Sequence, residues 1–479
     1  MLSKLIQNYK NMSIGVKASF WFMGCNVLQK GIAFITVPIF TRILTTDEYG
    51  LYSLFCSWES VLAIFVTLNL SYQVFNNGMV KYSQDKDGYT TSMVGLTIVM
   101  AIFWGSVLFS FHVYLTKIIG LNIFYLLLML LDMIFMVITG LWIVRQRYDY
   151  QYKTLSIITI LSTILNPVLG IILVLNLKDK SFARCLSMVI TNLILLLITY
   201  VNIIKKNRKH INLKYWKYAL KLDLPLIPHY LSMVLLNNCD RIMIGKICGN
   251  SYTAFYSIAH NASMVMNIII TSINSSFNPC LYQKLRNKEY NKIREVSRYL
   301  LVIVAGVSIL PIIFAPEIVF ILGSKEYFNA VSIMPIFSCC VFLIYIYTLF
   351  SNVEMFFEKP KYTMYGSVSA TVINIILNYF FIQKFGYKAA AYTTLLCYIL
   401  LSIFHYFIMK YICKTKNIES SIYDIKLILG LFSLIILCVV IISFLFKYYF
   451  IRYCISLFIL LLAIKKKEYI IKNISPTKK

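Results

Sequence analysis

Apolar residues along this chain neither alternate nor return every three or four positions to mark a single face; they fill runs of about 20 residues, separated by short polar segments. A run of that length matches the roughly 30 Å hydrocarbon thickness of a bilayer when coiled as a helix. A membrane barrel would instead show alternating segments of about ten residues. In lipid every backbone polar group needs a partner inside the protein, so the long runs predict spanning helices. They fall at 17–39, 50–71, 91–113, 121–144, 154–176, 182–204, 222–247, 251–277, 297–322, 329–352, 361–383, 388–411, 424–446 and 449–464. The last two lie close enough to form one re-entrant hairpin; a pair of spans is the reading adopted. The fold class expected is therefore an all-α polytopic membrane protein of about 14 transmembrane helices.

Composition agrees. The chain is 59% hydrophobic, above the roughly 45–50% of soluble domains, with a mean hydropathy of +0.74. The net charge of +27 invites a nucleic-acid reading, which the charge distribution rejects. With the N-terminus inside, the inner segments hold 33 Lys and Arg and the outer loops 11, while Lys30 and Arg241 lie within spans. That bias places both termini in the cytoplasm. The clusters KKNRKH (205–210) and KKK (465–467) read as topology signals that touch anionic headgroups. The basic N-terminal stretch reads as a cytoplasmic lead-in to the first span. The 12 cysteines are scattered through apolar runs without the spacing of a zinc site or a disulfide framework, so no metal is expected. No outer loop exceeds about a dozen residues, which weighs against a membrane enzyme with a catalytic extracytoplasmic domain.

Polar residues recur within several spans at three- and four-residue steps, and so share one helix face. Span eight carries His260, Ser263, Asn267, Thr271, Asn274 and Asn278; span seven carries Asp223, Tyr230, Asn237 and Arg241. Span two carries Ser53, Ser57, Ser60 and Thr67 with Glu59 beside them; span one carries Ser19, Asn26 and Lys30. Span eleven carries Ser367, Thr371, Asn374 and Asn378. Such stripes either join helices, at about 0.6 kcal/mol per hydrogen bond, or line a wet cavity. Packing is preferred for span eleven, and a cavity for spans one, two, seven and eight. The reason is charge: a charged group at mid-bilayer costs about 2.5–3.5 kcal/mol and usually faces water or a partner.

Lys30 either pairs internally, with Glu59, or meets an anionic headgroup. Arg241 either caps the helix end beside Asp240 or serves the same cavity. Glu59, Asp132 and Asp223 are the carboxyl candidates for binding a coupling ion. Glu317 reads as a solvated helix end, and His112 and His405 as interfacial. In LPLIPHY (224–230), Pro225 and Pro228 remove two backbone donors and predict a hinge, or else a bend near the inner end of the span. The stretches 41–55 and 240–259 share an Arg, a Gly and a Tyr-Ser pair, suggesting an internal duplication of the kind found in transporters whose substrate binds between halves.

Three segments then point to a family. TRILTTDEYGLYSLF (41–55) resembles the TRxLxxxEYGxY motif that follows the first helix of bacterial polysaccharide exporters. LDLPLIPHYLSMVLLNNCDRIMIGKICGNSYTAFYSIA (222–259) and INIILNYFFIQKFGYKAAAYTTLLCY (373–398) resemble two further motifs of that family, in the same order and spacing. The chain resembles the O-antigen and capsule repeat-unit flippases of the multidrug, oligosaccharidyl-lipid and polysaccharide exporter superfamily over residues 15–415. Gln383, Lys388, Ala389, Thr253 and Ala254 depart from the family pattern and leave the glycan open.

The resemblance implies two pseudo-symmetric six-helix lobes (1–210 and 211–417) around a central cavity, followed by a C-terminal helix pair and basic tail (418–479). It implies translocation by alternating access of an undecaprenyl-diphosphate-linked oligosaccharide, with no cofactor beyond a proton or sodium gradient. Cavity residues are then Asn26, Lys30, Asn237, Arg241, His260, Asn267 and Asn274. Expected partners are the lipid-linked cargo, membrane lipids, a polysaccharide polymerase and chain-length machinery, with no nucleic acid. The expected location is the bacterial cytoplasmic membrane. The alternatives are a multidrug extruder of the same fold, a peptidoglycan-precursor flippase, and a membrane enzyme of the same glycan pathway.

Overall fold

The computed structural model describes residues 13–204, 211–418 and 422–465. KKNRKH (205–210), the N-terminal lead-in and the tail beyond Lys465 lie outside the described residues. The described chain is helical. Its α-helices run in order as α1 (Ile14–Ile43), α2 (Thr46–Thr67), α3 (Gln73–Lys81), α4 (Lys86–Ile119), α5 (Ile123–Tyr148), α6 (Tyr152–Asn176), α7 (Lys180–Ile204) and α8 (Leu213–Asp223). They continue with α9 (Ile227–Ile247), α10 (Asn250–Met264), α11 (Met266–Arg286), α12 (Tyr290–Ile313), α13 (Ala315–Gly323), α14 (Met334–Phe356), α15 (Pro360–Phe385), α16 (Lys388–Thr415), α17 (Ile425–Phe444) and α18 (Tyr449–Lys465).

Among the described residues, 12 helical segments are long and apolar enough, by length and composition, to cross a membrane. The sequence reading expected about 14, and the difference has two sources. Expected span eight is interrupted at Val265 into α10, which has only 15 residues, and α11, whose polar residues keep it out of that set. Helix α18 has only 17 residues. Expected span seven also begins earlier, because α8, a 3₁₀ turn at Leu224–Leu226 and α9 form one run from Leu213 to Ile247. Large apolar side chains such as Ile102, Phe109, Leu175 and Phe380 are more than 60% exposed, which in a helical protein of this composition marks lipid as their solvent.

The chain folds as two compact units, Met1–Asn238 and Cys239–Lys479. The boundary falls inside α9, so residues 211–238, assigned from sequence to a second lobe, belong to the first unit. The cause is a set of contacts distant in sequence: the Trp216 indole donates to the Ser92 carbonyl at 2.8 Å, the Tyr215 hydroxyl donates to Asp85 at 2.7 Å, and Tyr215 packs on Tyr82 at 4.6 Å.

In the first unit α5 packs against α2, α4 and α7, and α6 against α1 and α7. The turn from α1 to α2 is set by a capping box: Thr45 Oγ1 accepts from the Glu48 N–H at 3.2 Å, and Glu48 Oε2 from the Thr45 N–H at 2.8 Å. Lys180 and Ser181 of α7 bond the carbonyls of Ile43 and Glu48 on either side of that turn. Arg184 lies 4.2 Å from the Phe40 ring centroid and 4.8 Å from that of Tyr52.

In the second unit α14 is the central helix, packed on α10, α11, α12, α16 and α17. Asp424 caps α17 by accepting from the Leu427 N–H at 3.2 Å, and it also accepts from Arg298 Nε at 2.8 Å. The Arg298 guanidinium holds that carboxyl below the usual carboxylate range.

Helix α18 is fastened by Arg452, whose side chain is 2% exposed. Its guanidinium donates to both oxygens of Glu317, at 2.8 and 2.6 Å, and to the Ile313 carbonyl at 2.6 Å. Glu317 is thus not the solvated helix end expected from sequence but one half of a bidentate pair. Arg452→Ala is expected to destabilise the detergent-solubilised protein by about 1–3 kcal/mol, discounted because Glu317 is 28% exposed, and to free α18 for proteolysis. Thermal unfolding and limited proteolysis check this, and Arg452→Lys, which keeps the charge but not the fork, should fall between.

Candidate functional site

The predicted site residues divide into groups that face outward and groups drawn into each unit. On α1, Ser19, Asn26 and Lys30 are exposed on a helix that buries little of itself. Among the described residues Lys30 has no hydrogen-bond or ion-pair partner, and Glu59 does not pair with it. Glu59 is buried and faces Asp132 instead, while Asn192 Nδ2 donates to Asp132 Oδ1 at 2.9 Å. Two of the three carboxyl candidates thus meet inside the first unit, supplied by α2, α5 and α7. The serine stripe of α2 turns the same way: Ser53 and Ser57 are buried and Ser57 bonds its own helix backbone at 2.8 Å. It packs rather than lining an open cavity, because Ser can satisfy its hydroxyl at the i−4 carbonyl without water.

Asp223, the third carboxyl candidate, closes α8 and is fully buried. Pro225 and Pro228 lie immediately beyond it, and Leu224–Leu226 forms a 3₁₀ turn there, so the predicted break is present. Asn237 is exposed on α9 and bonds its own backbone.

In the second unit Arg241 does not pair with its neighbour Asp240. Its Nη2 lies 2.8 Å from His260 Nδ1 and 2.9 Å from Asn261 Oδ1, making a half-buried cationic group at α9–α10. Asp240 points the other way, into a buried ring. It accepts from the Tyr256 hydroxyl, from Thr394 Oγ1 at 2.7 Å and from Asn378 Nδ2. Asn374 in turn lies 3.1 Å from Asn378 and accepts from the Cys239 thiol at 2.9 Å. The span-eleven stripe is therefore interhelical packing, as preferred from sequence.

The span-eight stripe is divided. Ser263 is buried and donates to the Met334 carbonyl at 3.1 Å, while Asn274 and Asn278 accept from Asn352 Nδ2 at 2.9 and 2.7 Å. Thr271, Ser272, Ser275 and Ser276 are exposed, and Asn267 is half-buried with its Oδ1 unpartnered.

Sequence reasoning missed two further groups. His405 was expected at the interface; it is buried on α16, with Nδ1 2.8 Å from Glu354 Oε1. The packing there is tight enough that a Cβ at Gly366 would approach His405 Nε2 to 3.0 Å. Arg145, on α5, donates to Asp87 at 3.0 Å and to Asp149 at 3.2 Å beside a cavity of about 210 Å³ in the first unit. The Arg145–Asp149 pair is an i,i+4 contact that local spacing could have offered, whereas the reach of Arg145 to Asp87 and of His405 to Glu354 does not follow from local spacing. Among the described residues no three His, Cys, Asp or Glu gather as a metal site.

Residues 16–284, more than half the chain, match the family described as polysaccharide biosynthesis protein. The chain belongs to that family. Residues 225–380 also match the MatE family. A membrane protein of Haemophilus influenzae is 23% identical over 379 residues, covering 76% of this chain and 89% of that protein.

The fold is shared with the lipid II flippase MurJ in an inward closed conformation, at a TM-score of 0.69 and 14% identity, covering 95% of this chain and all of that one. It is also shared with a multidrug resistance MATE transporter in its inward-facing conformation, at 0.63 and 15%, covering 81% of this chain and 96% of that one. The family member described here is thus a multi-pass membrane protein that shares its fold with a flippase and a multidrug transporter.

Lys30→Ala and Arg241→Ala are each expected to impair export without loss of insertion. Hydrogen bonds to charged groups contribute about 1.5–3 kcal/mol, so the loss should be roughly tenfold or more. Surface-polysaccharide yield at matched protein level checks this, and full export by both variants would remove these cations from the transport path.

Proposed function

We propose that this protein is a flippase that carries an undecaprenyl-diphosphate-linked oligosaccharide repeat unit from the inner to the outer leaflet of the bacterial cytoplasmic membrane. The observation that carries the reading is the family match over residues 16–284, together with cationic and amide groups on membrane helices. A diphosphate and sugar hydroxyls cannot cross hydrocarbon unaided, because each unpaired polar group costs several kcal/mol. Asn26, Lys30 and Asn237 in the first unit, and Arg241, His260, Asn267 and Asn274 in the second, supply the donors such a cargo needs. The prenyl tail stays in lipid. Alternating access through the proline-broken segment at 224–228 exchanges the two sides, with both termini cytoplasmic. A polysaccharide polymerase and chain-length machinery receive the product.

Transport is coupled to an ion gradient. The Glu59–Asp132 pair offers two adjoining carboxyls and no cation, the chemistry of a shared proton. At Asp240 the hydroxyl oxygens of Thr394 and Tyr256 stand against one carboxyl, the oxygen chemistry that suits a hard cation such as sodium.

A second reading, multidrug extrusion, is favoured by the MatE match at 225–380. Depletion of the protein in its host, followed by mass analysis of extracted lipid-linked sugars, separates the two. A complete repeat unit accumulating on the polyprenyl carrier, with loss of surface polysaccharide, is the expected result. Unchanged pools with raised sensitivity to cationic drugs would overturn it in favour of extrusion.

A further inference from the structure

Asp223 stands apart from the other buried charges of this protein. Glu354 has His405, Asp240 has four donors, Glu317 has Arg452, and Asp132 has Asn192. Asp223 is 0% exposed, yet among the described residues neither of its carboxyl oxygens has a hydrogen-bond partner. Two more unpartnered buried atoms lie a few residues on: the Tyr230 hydroxyl and His229 Nδ1. The titratable groups facing the carboxyl are Tyr89 from α4 and Tyr230 from α9. From α3, the Lys81 ammonium lies over the Tyr218 ring at 4.2 Å, and on α8 itself Lys217 and Lys221 are exposed. Among the described residues no ion pair reaches Asp223.

A bare carboxylate in such a position is far costlier to bury than a neutral carboxyl whose hydrogen bonds are unmade. The closed, buried geometry therefore belongs to the neutral form, and a carboxylate formed there must gain water or a donor. The adjoining backbone is the place to admit it. Pro225 offers no N–H to the Lys221 carbonyl, and Pro228 none to that of Leu224, which takes the Ile227 N–H in a 3₁₀ turn instead. Leu224, Pro225 and Pro228 are already exposed.

We propose that Asp223 is a proton-binding site that latches the hinge at 224–228. With the proton bound, the carboxyl stays buried and the turn stays closed. When the proton leaves to water, the carboxylate draws in solvent and the turn opens. The run from Leu213 to Ile247 has 35 residues, about 52 Å as a helix and more than the hydrocarbon core, and the excess falls to α8, which carries Lys214, Lys217 and Lys221, so the proton exchanges with the water at that end. This assigns control of the hinge to one group. It rests on the proposed transport only for its purpose, not for its chemistry.

The test is hydrogen–deuterium exchange of the peptide 221–230 in the full-length purified protein between about pH 5.5 and 8.5, corrected for intrinsic exchange chemistry. It needs no cargo, so its failure and that of the flippase reading are distinguishable. Wild-type protection should fall by about tenfold or more across the range, and Asp223→Asn, fixed in the neutral form, should stay protected throughout. Asp223→Glu keeps a titrating carboxyl and should keep the transition, which covers the case in which the Asn variant does not fold. His229→Gln should also keep it. Wild-type exchange that is independent of pH, an Asn variant that opens like wild type, a Glu variant without a transition, or loss of the transition in His229→Gln would each overturn the latch.

Discussion

Hydrocarbon offers no hydrogen bonds, so every polar group inside the bilayer must find its partner within the protein. That constraint makes the backbone helical, and it then governs each side chain the helices carry. Ser57 returns its hydroxyl to its own backbone, Asn274 and Asn278 share the amide of Asn352, and Asp240 gathers hydroxyls and amides from α10, α15 and α16. Groups that lack such a partner stand out against this background. Among the described residues Lys30 faces outward with none, and Asp223 faces inward with none. Both positions suit a molecule that must receive something from water in one state and exclude it in another.

Most of the fold was legible in the sequence, because the length of an apolar run measures directly how much helix a bilayer can hold. What escaped was the behaviour of helices that are only partly apolar. The chain at 251–277 reads as one span with a polar stripe, and the structure interrupts it at the single residue Val265, whose backbone stays in the right-handed helical region. The break at the two prolines was legible because a missing N–H is a property of the residue itself. The assignment of 211–238 to the first unit was not, because it depends on Trp216 and Tyr215 reaching residues more than 100 positions earlier.

The site was legible as a set of residue types and much less as a set of partnerships. Sequence pointed to Glu59 and Asp132 as intramembrane acids, but not to each other, because nothing local relates α2 to α5. It offered Lys30 as a partner for Glu59 on grounds of charge alone; the structure places a second carboxyl there. Stripes of Ser, Thr and Asn proved ambiguous for a physical reason. The same residues that wet a cavity also satisfy one another across a dry interface, and only the neighbouring helix decides which. Arg241 was informative because a guanidinium carries more donors than one backbone carbonyl can take; it needs further acceptors, and it found them in His260 and Asn261.

The clasp between Arg452 and Glu317 also has a timetable. The two residues are 135 positions apart in the chain. At a synthesis rate of about 5–20 residues per second, Glu317 emerges from the ribosome some seven to thirty seconds before the guanidinium that will hold it. During that interval the carboxyl rests in water or on a transient neighbour, and the α12–α13 junction is unfastened. The second unit therefore completes its closure only when α18 has been made and inserted, so a chain whose synthesis stops short of Arg452 leaves Glu317 as an open acid for the membrane's quality control to find.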